Sequence, residues 1–281
     1  MINKVGIAGA GAMGAGIAQV FAQAGFQVIL FDIQTTQLEK AKTQIVNNLS
    51  IAVSKNKLTE KDKTSILSHI SFTSNSEQLI GDLIIEAVIE KLEVKEELFK
   101  QLAAINSPET ILASNTSSLS ITKIAQNIPG TGRVVGMHFF NPAHLMQLVE
   151  VISGAETLPA TAATIKDVAL KIGKTPIMCK DAPGFIVNRV ARHYYVESLK
   201  MNEEQTAPLQ NIDTLMESAG FKLGPFKLMD LVGNDINFAV TSSLYNAFHQ
   251  EAKFRPSRIQ QQKVDAGHLG KKTGKGFYNY E

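Results

Sequence analysis

From Val5 to Phe31 the chain carries no charged residue. A run of that kind near an N-terminus suggests a signal peptide or a membrane span. Six glycines (Gly6, Gly9, Gly11, Gly14, Gly16, Gly25) and three glutamines break it, and no continuous Leu/Ile/Val stretch is present. The better reading is a buried strand, a tight turn, a buried helix and a second buried strand. At its centre "GAGAMG" (9–14) has the G-x-G-x-x-G spacing. Gly9 permits the turn, Gly11 lets a pyrophosphate approach the backbone, and Gly14 lets the helix pack closely. The helix N-terminus adds unpaired N–H groups and partial positive charge.

Alanine- and glycine-rich helix packing alone would give the same spacing, so the context decides. The motif follows a strand and opens a helix, and Asp32 closes the next strand, where a carboxylate takes a ribose diol. The stretch from Gly9 through Ala10, Gly11, Ala12 and Met13 to Gly14, with Asp32, is therefore expected to bind a dinucleotide. Asp32 would repel a 2′-phosphate, which favours NAD over NADP.

Short β-branched runs alternate with helical patterns over the first half of the chain. Strands are expected at 4–9, 27–32, 69–74, 82–88, 110–115, 133–140, 148–153 and 175–180. Helices are expected at 14–24, 91–104, 118–127 and 158–172, with Gly173 as a C-cap. This is the pattern of an α/β, Rossmann-type doubly wound sheet. Segment 34–67 is too long for a simple crossover and reads as a projecting helical hairpin turning at "SKNK" (54–57). After "KDAPG" (180–184) only helical patterns remain, at 185–203, 208–219, 225–250 and 256–265. Two domains are expected, 1–183 and an all-α 184–281, with a substrate cleft between them.

Charge narrows the function classes only a little. With 28 basic and 26 acidic side chains the net charge is +2, which argues for neither nucleic acid nor a membrane surface. The lone Cys179 cannot form an internal disulfide, so a reducing, cytoplasmic setting is expected. In its apolar run Cys179 reads as a small core residue rather than a nucleophile.

The chemistry concentrates in two stretches. "ASNTSSLSI" (113–121) is a strand end running into a polar turn, where open α/β sheets bind ligands. Asn115 and Ser117 are candidates to contact ligand, although Ser117 or Ser118 could instead cap a helix from Leu119. "GMHFFNPAHLMQLVEV" (136–151) sets His138 and Glu150 into apolar runs where valine would be ordinary. A lone histidine there is usually a core residue. If the two runs are adjacent strands joined by "NPAHLMQ", however, imidazole and carboxylate meet, which orients a general base. A metal at His138, His144 and Glu150 is the poorer reading, because the spacing fits no common ligand pattern. Histidine base plus nicotinamide implies oxidation of an alcohol.

With these motifs stand "IIEAVIEKLEVKEELF", "ILASNTSSLSIT", "DAPGFIVNR" and "GKKTGKGFYNY". Together they resemble the 3-hydroxyacyl-CoA dehydrogenase family, of the short 3-hydroxybutyryl-CoA type, over nearly the whole chain. The resemblance implies NAD-dependent oxidation of an L-3-hydroxyacyl-CoA thioester in fatty acid metabolism, and a homodimer formed through the helical half. It implies His138 as base, Glu150 as its orienting carboxylate, and Ser117 and Asn188 as hydrogen-bond partners of the substrate's oxygens. Glu90 and Lys95 fall near the nicotinamide half of NAD, and Lys272 on the cofactor. Asn141 falls at the substrate, and Lys55 at a CoA phosphate, unless it is simply a solvated hairpin tip.

Four positions depart from the family pattern: His144 for proline, Gln147 for lysine, Lys227 for glutamate and Asn48 for serine. The helix after Asn188 is also more polar than in relatives. The departures bear on acyl specificity and the dimer surface. Two other functions stay open at this point, a dehydrogenase of free hydroxy or sugar acids and a non-catalytic NAD-binding protein.

Overall fold

The computed structural model describes residues 2–280. Each apolar run of the first half forms a strand: β1 (Lys4–Ala8), β2 (Gln27–Phe31), β3 (Ile70–Thr73), β4 (Leu83–Glu86), β5 (Ile111–Ser114), β6 (Val134–Phe139), β7 (Leu148–Ser153) and β8 (Thr175–Lys180). They make one sheet in the order β3-β2-β1-β4-β5-β6-β7-β8. β1 to β6 are parallel, and helices cover such strands on both faces, which explains their unbroken apolar character. The chain moves outward from β1 to β3, then returns to β4 beside β1. That reversal is the usual ligand crevice of an open α/β sheet. β7 runs antiparallel to β6, and in their register His138 sits directly opposite Glu150.

Helices α1 (Ala12–Gln23), α2 (Thr35–Ser54), α3 (Glu60–Ser68), α4 (Leu92–Ile105), α5 (Ile121–Ala125) and α6 (Pro159–Lys171) complete the first unit, Met1–Ala182. α1 is buried from Gly14 to Ala22 because it lies in the core. α2 buries Leu38, Ala41, Ile45 and Leu49, one face at helical spacing, and Asn48 beside them bonds Gln19 of α1 at 3.0 Å. α3 begins with a reciprocal capping box between Thr59 and Asp62.

The second unit, Pro183–Glu281, holds α7 (Val187–Glu203), α8 (Leu209–Ser218), α9 (Pro225–Val232), α10 (Asn234–Ala247) and α11 (Arg258–Asp265) around Tyr195, Leu199, Ile212, Phe226, Met229 and Phe277. Buried Asp230 accepts the N–H groups of Phe277 and Tyr278 and so ties the C-terminal segment to α9.

Two expectations need correction. The helix expected over 225–250 is broken at Gly233, whose φ of +105° cannot continue a helix. It also stops at Ala247, before left-handed His249 and Gln250. The helix expected at 118–127 shrinks to α5, capped by Ser120 rather than by Ser117 or Ser118. Ser120 also donates to Asp181 at 2.6 Å, while Thr116, Ser117 and Ser118 donate to Glu90.

Candidate active site

The glycine-rich loop is shaped for a dinucleotide. A Cβ on Gly14 would lie 1.8 Å from the Gly9 carbonyl, so only glycine allows α1 to start this close to the loop. A Cβ on Gly11 would meet nothing within 4 Å, which leaves its backbone open to a phosphate. Ala10, Ala12 and Met13 fill the same turn and first helical residues. Asp32 accepts the Ala10 N–H at 2.8 Å and the Gln34 N–H at 2.9 Å, which fixes its carboxylate beside the loop. These residues fit NAD: donors for the pyrophosphate and a carboxylate for the ribose.

Across the sheet, Glu150 Oε2 lies 2.8 Å from His138 Nδ1, and both side chains are buried. An ionised carboxylate only accepts hydrogen bonds, so Nδ1 carries the hydrogen and Nε2 is the basic nitrogen. Asn115 takes the Phe139 N–H at 2.8 Å on its side-chain oxygen, bracing the backbone next to His138. Cys179, in β8, is half-buried on a sheet edge rather than in the core. Burial, with Glu150 and Asp181 nearby, pushes its thiol up to about 12, which suits no nucleophile.

A second charged group joins β4, β5 and α4. Glu86, fully buried at the end of β4, accepts from Val88 N–H at 2.7 Å, Lys95 Nζ at 2.5 Å and Ser114 Oγ at 2.7 Å. Lys95 also meets Glu90 Oε2 at 3.1 Å. The other oxygen of Glu90 takes the Thr116 hydroxyl at 2.6 Å and the Ser117 N–H at 2.9 Å. Burial drives the Glu86 carboxyl upward against the pull of Lys95. In Glu90 burial acts the same way, but Lys95 and the bonds from Thr116 and Ser117 outweigh it and hold the carboxyl below its usual range. Glu90, Lys95 and Ser117 are thus brought together at the strand ends, and the Asn115 N–H joins them on the Glu86 carbonyl at 2.8 Å.

Other expected residues lie apart from this group. Lys55 is exposed just past the end of α2, and Asn141 is exposed after β6. Asn188 is in the first turn of α7, in the second unit, as is Lys272, whose ammonium pairs with both oxygens of Asp235 at 2.7 Å. Lys227 pairs with Glu217 at 2.9 Å, so this departure from the family pattern has a local partner.

The sequence reading missed Glu86 and Lys174. Lys174, buried, donates to the Ala143 and Met146 carbonyls at 2.7 Å each and so secures the turn between His138 and Glu150. Burial, followed by the Lys174 charge, lowers the His144 pKa. A carboxylate in "LIIEAV" is a visible signal; a lysine after a helix-ending glycine is not. Among the described residues no group of three or more His, Cys, Asp or Glu is placed to hold a metal ion, and no helix is long and apolar enough to cross a membrane.

Residues 4–182 match the model of the family described as "3-hydroxyacyl-CoA dehydrogenase, NAD binding domain", and residues 184–280 match that of its C-terminal domain. The chain is 47% identical over 281 residues to an Escherichia coli K12 protein named 3-hydroxyadipyl-CoA dehydrogenase, covering 99% of this chain and 59% of that one. It is 42% identical to a probable 3-hydroxybutyryl-CoA dehydrogenase of Deinococcus radiodurans, over 99% of this chain and all of that one. The crystal structure of (S)-3-hydroxybutyryl-CoA dehydrogenase from Ralstonia eutropha superposes over the full length of both chains, with a TM-score of 0.97 at 39% identity.

Proposed function

The chain belongs to the 3-hydroxyacyl-CoA dehydrogenase family, and we propose that it interconverts an L-3-hydroxyacyl-CoA and the 3-ketoacyl-CoA, with a short acyl chain such as 3-hydroxybutyryl. The observation that carries this reading is the buried 2.8 Å contact between His138 and Glu150, on the sheet that also bears the dinucleotide loop. In the oxidative direction His138 takes the substrate's hydroxyl proton at Nε2. Glu150 steadies the resulting imidazolium through Nδ1–H. Bound NAD supplies the acceptor for the hydrogen and electron pair leaving the same carbon. Ser117 and Asn188 are assigned to the substrate's oxygens; a donor on a developing oxyanion is commonly worth about 2.7–4 kcal/mol.

Gly9 to Gly14, Asp32, Glu90, Lys95, Asn115 and Lys272 are assigned to the cofactor, and Lys55 and Asn141 to the thioester substrate. Residues 1–183 serve as the NAD domain and 184–281 as the dimerisation and substrate domain. The protein works as a homodimer in the cytoplasm. Support for the dimer comes from apolar side chains left outside in the helical half: Val190 is 68% exposed and Leu231 and Ile236 are 51% exposed. A second acyl class, a dicarboxylic chain such as 3-hydroxyadipyl, has the support of the 47% identity to the Escherichia coli relative.

The test is reduction of acetoacetyl-CoA against free acetoacetate, with NADH. Turnover of the thioester, with the free acid at least tenfold worse in kcat/KM, is expected. Preference for the free acid would overturn the substrate class. Comparing 3-hydroxybutyryl-CoA with 3-hydroxyadipyl-CoA then decides the acyl chain.

A further inference from the structure

A structural ion pair on Lys95 needs one carboxylate, yet this ammonium has two. Glu86 lies at 2.5 Å and Glu90 at 3.1 Å. Burial pushes the Glu86 carboxyl upward, but the three donors that converge on it (the Val88 N–H, the Lys95 ammonium at 2.5 Å and the Ser114 hydroxyl) all favour its ionised form. Thr116 and Ser117 offer Glu90 only neutral donors. The group therefore carries one net negative charge, at the carboxyl ends of β4 and β5. Burying Glu86 costs solvation that an ammonium shared with Glu90 only partly returns.

The location gives that charge a role. A dinucleotide lies across the strand ends at the reversal between β1 and β4. Asp32, closing β2, takes the adenosine half to one side of the reversal, and His138, in β6, marks the reacting side. The nicotinamide half then falls on the β4–β5 side. Its ring is positively charged when oxidised and neutral when reduced, so a fixed negative charge distinguishes the two forms.

We propose that Glu86, too buried to touch a ligand, takes up the Lys95 charge and so leaves this group one negative charge that tilts cofactor binding toward NAD⁺ over NADH. The inference rests on the dehydrogenase function given above. Glu86→Gln isolates the effect. The amide oxygen can keep the bonds from Val88 and Lys95, and the amide nitrogen can donate to Ser114 Oγ, so the charge alone is removed. Dissociation constants for NAD⁺ and NADH are measured by calorimetry on wild type and variant at one ionic strength. The ratio Kd(NADH)/Kd(NAD⁺) is expected to fall by about threefold or more in Glu86→Gln. An unchanged ratio, even with a lower Tm, would mean a purely structural carboxylate and overturns the proposal. Should Glu86→Gln not fold, Glu90→Gln removes a charge from the same ammonium at an exposed position. The ratio must fall there too, and an unchanged ratio is equally fatal. A wild type that turns over acetoacetyl-CoA while both variants keep the ratio leaves the function standing and removes only this inference. A wild type that binds neither dinucleotide removes both.

Discussion

Glu150 faces His138 across an antiparallel pair at 2.8 Å, and both side chains are buried. Groups that act as one unit are strongly non-additive. Glu150→Gln should therefore cut kcat severely, and adding it to His138→Ala should cost little more than His138→Ala alone. A merely structural pair predicts instead a loss of stability of about 1–3 kcal/mol, with activity falling only in proportion to unfolding. Measuring kcat and Tm on all three variants separates the two. Asp32 carries a second prediction: with its carboxylate fixed by Ala10 and Gln34, kcat/KM should favour NADH over NADPH, and Asp32→Ala should narrow the gap. Equal use of both cofactors by wild type would contradict the role given to Asp32. The two polar side chains set in apolar runs, His138 and Glu150, are legible in the sequence because they break a pattern. Glu86 breaks the pattern of its strand just as plainly, but its partner Lys95 lies on a helix among other lysines and glutamates, where nothing marks it as buried.

At the scale of elements, the strands can be read directly, since strands buried on both faces show unbroken apolar runs. The pairing of β6 with β7 follows from the short turn between them. What escapes is set by single backbone positions: the positive φ of Gly233 divides a helix that side-chain periodicity makes continuous. The shortening of α5 depends on Glu90, which draws Thr116 and Ser117 away from any helix start. Such a long-range contact leaves no local trace. Packing of α1 on the loop gives a test. Gly14→Ala sets a methyl group 1.8 Å from the Gly9 carbonyl, an overlap only backbone movement can relieve. It should destabilise the protein by about 1–3 kcal/mol and weaken NADH binding, as followed by denaturant titration and fluorescence. Unchanged NADH affinity would contradict the loop's part in binding.

For the whole molecule, the change from strand–helix alternation to helices alone near residue 183 is visible as a change of pattern. Of the apolar side chains exposed in the helical half, Val190 and Leu231 lie in the apolar stretches "IVNRV" (186–190) and "FKLMDLVG" (226–233), which the sequence itself offers as dimer faces, whereas Ile236 lies outside both. Sedimentation at micromolar concentration should give twice the chain mass of 30.5 kDa, and Val190→Asp should shift it toward monomer; a monomeric wild type would contradict the dimer. The most direct measurement is acetoacetyl-CoA reduction by His138→Ala, after confirming that the variant is folded and binds NADH like wild type. Loss of a general base predicts a kcat lowered by about 10²–10⁴-fold. A folded, NADH-binding variant with near-normal turnover would contradict the assignment of His138 as the base.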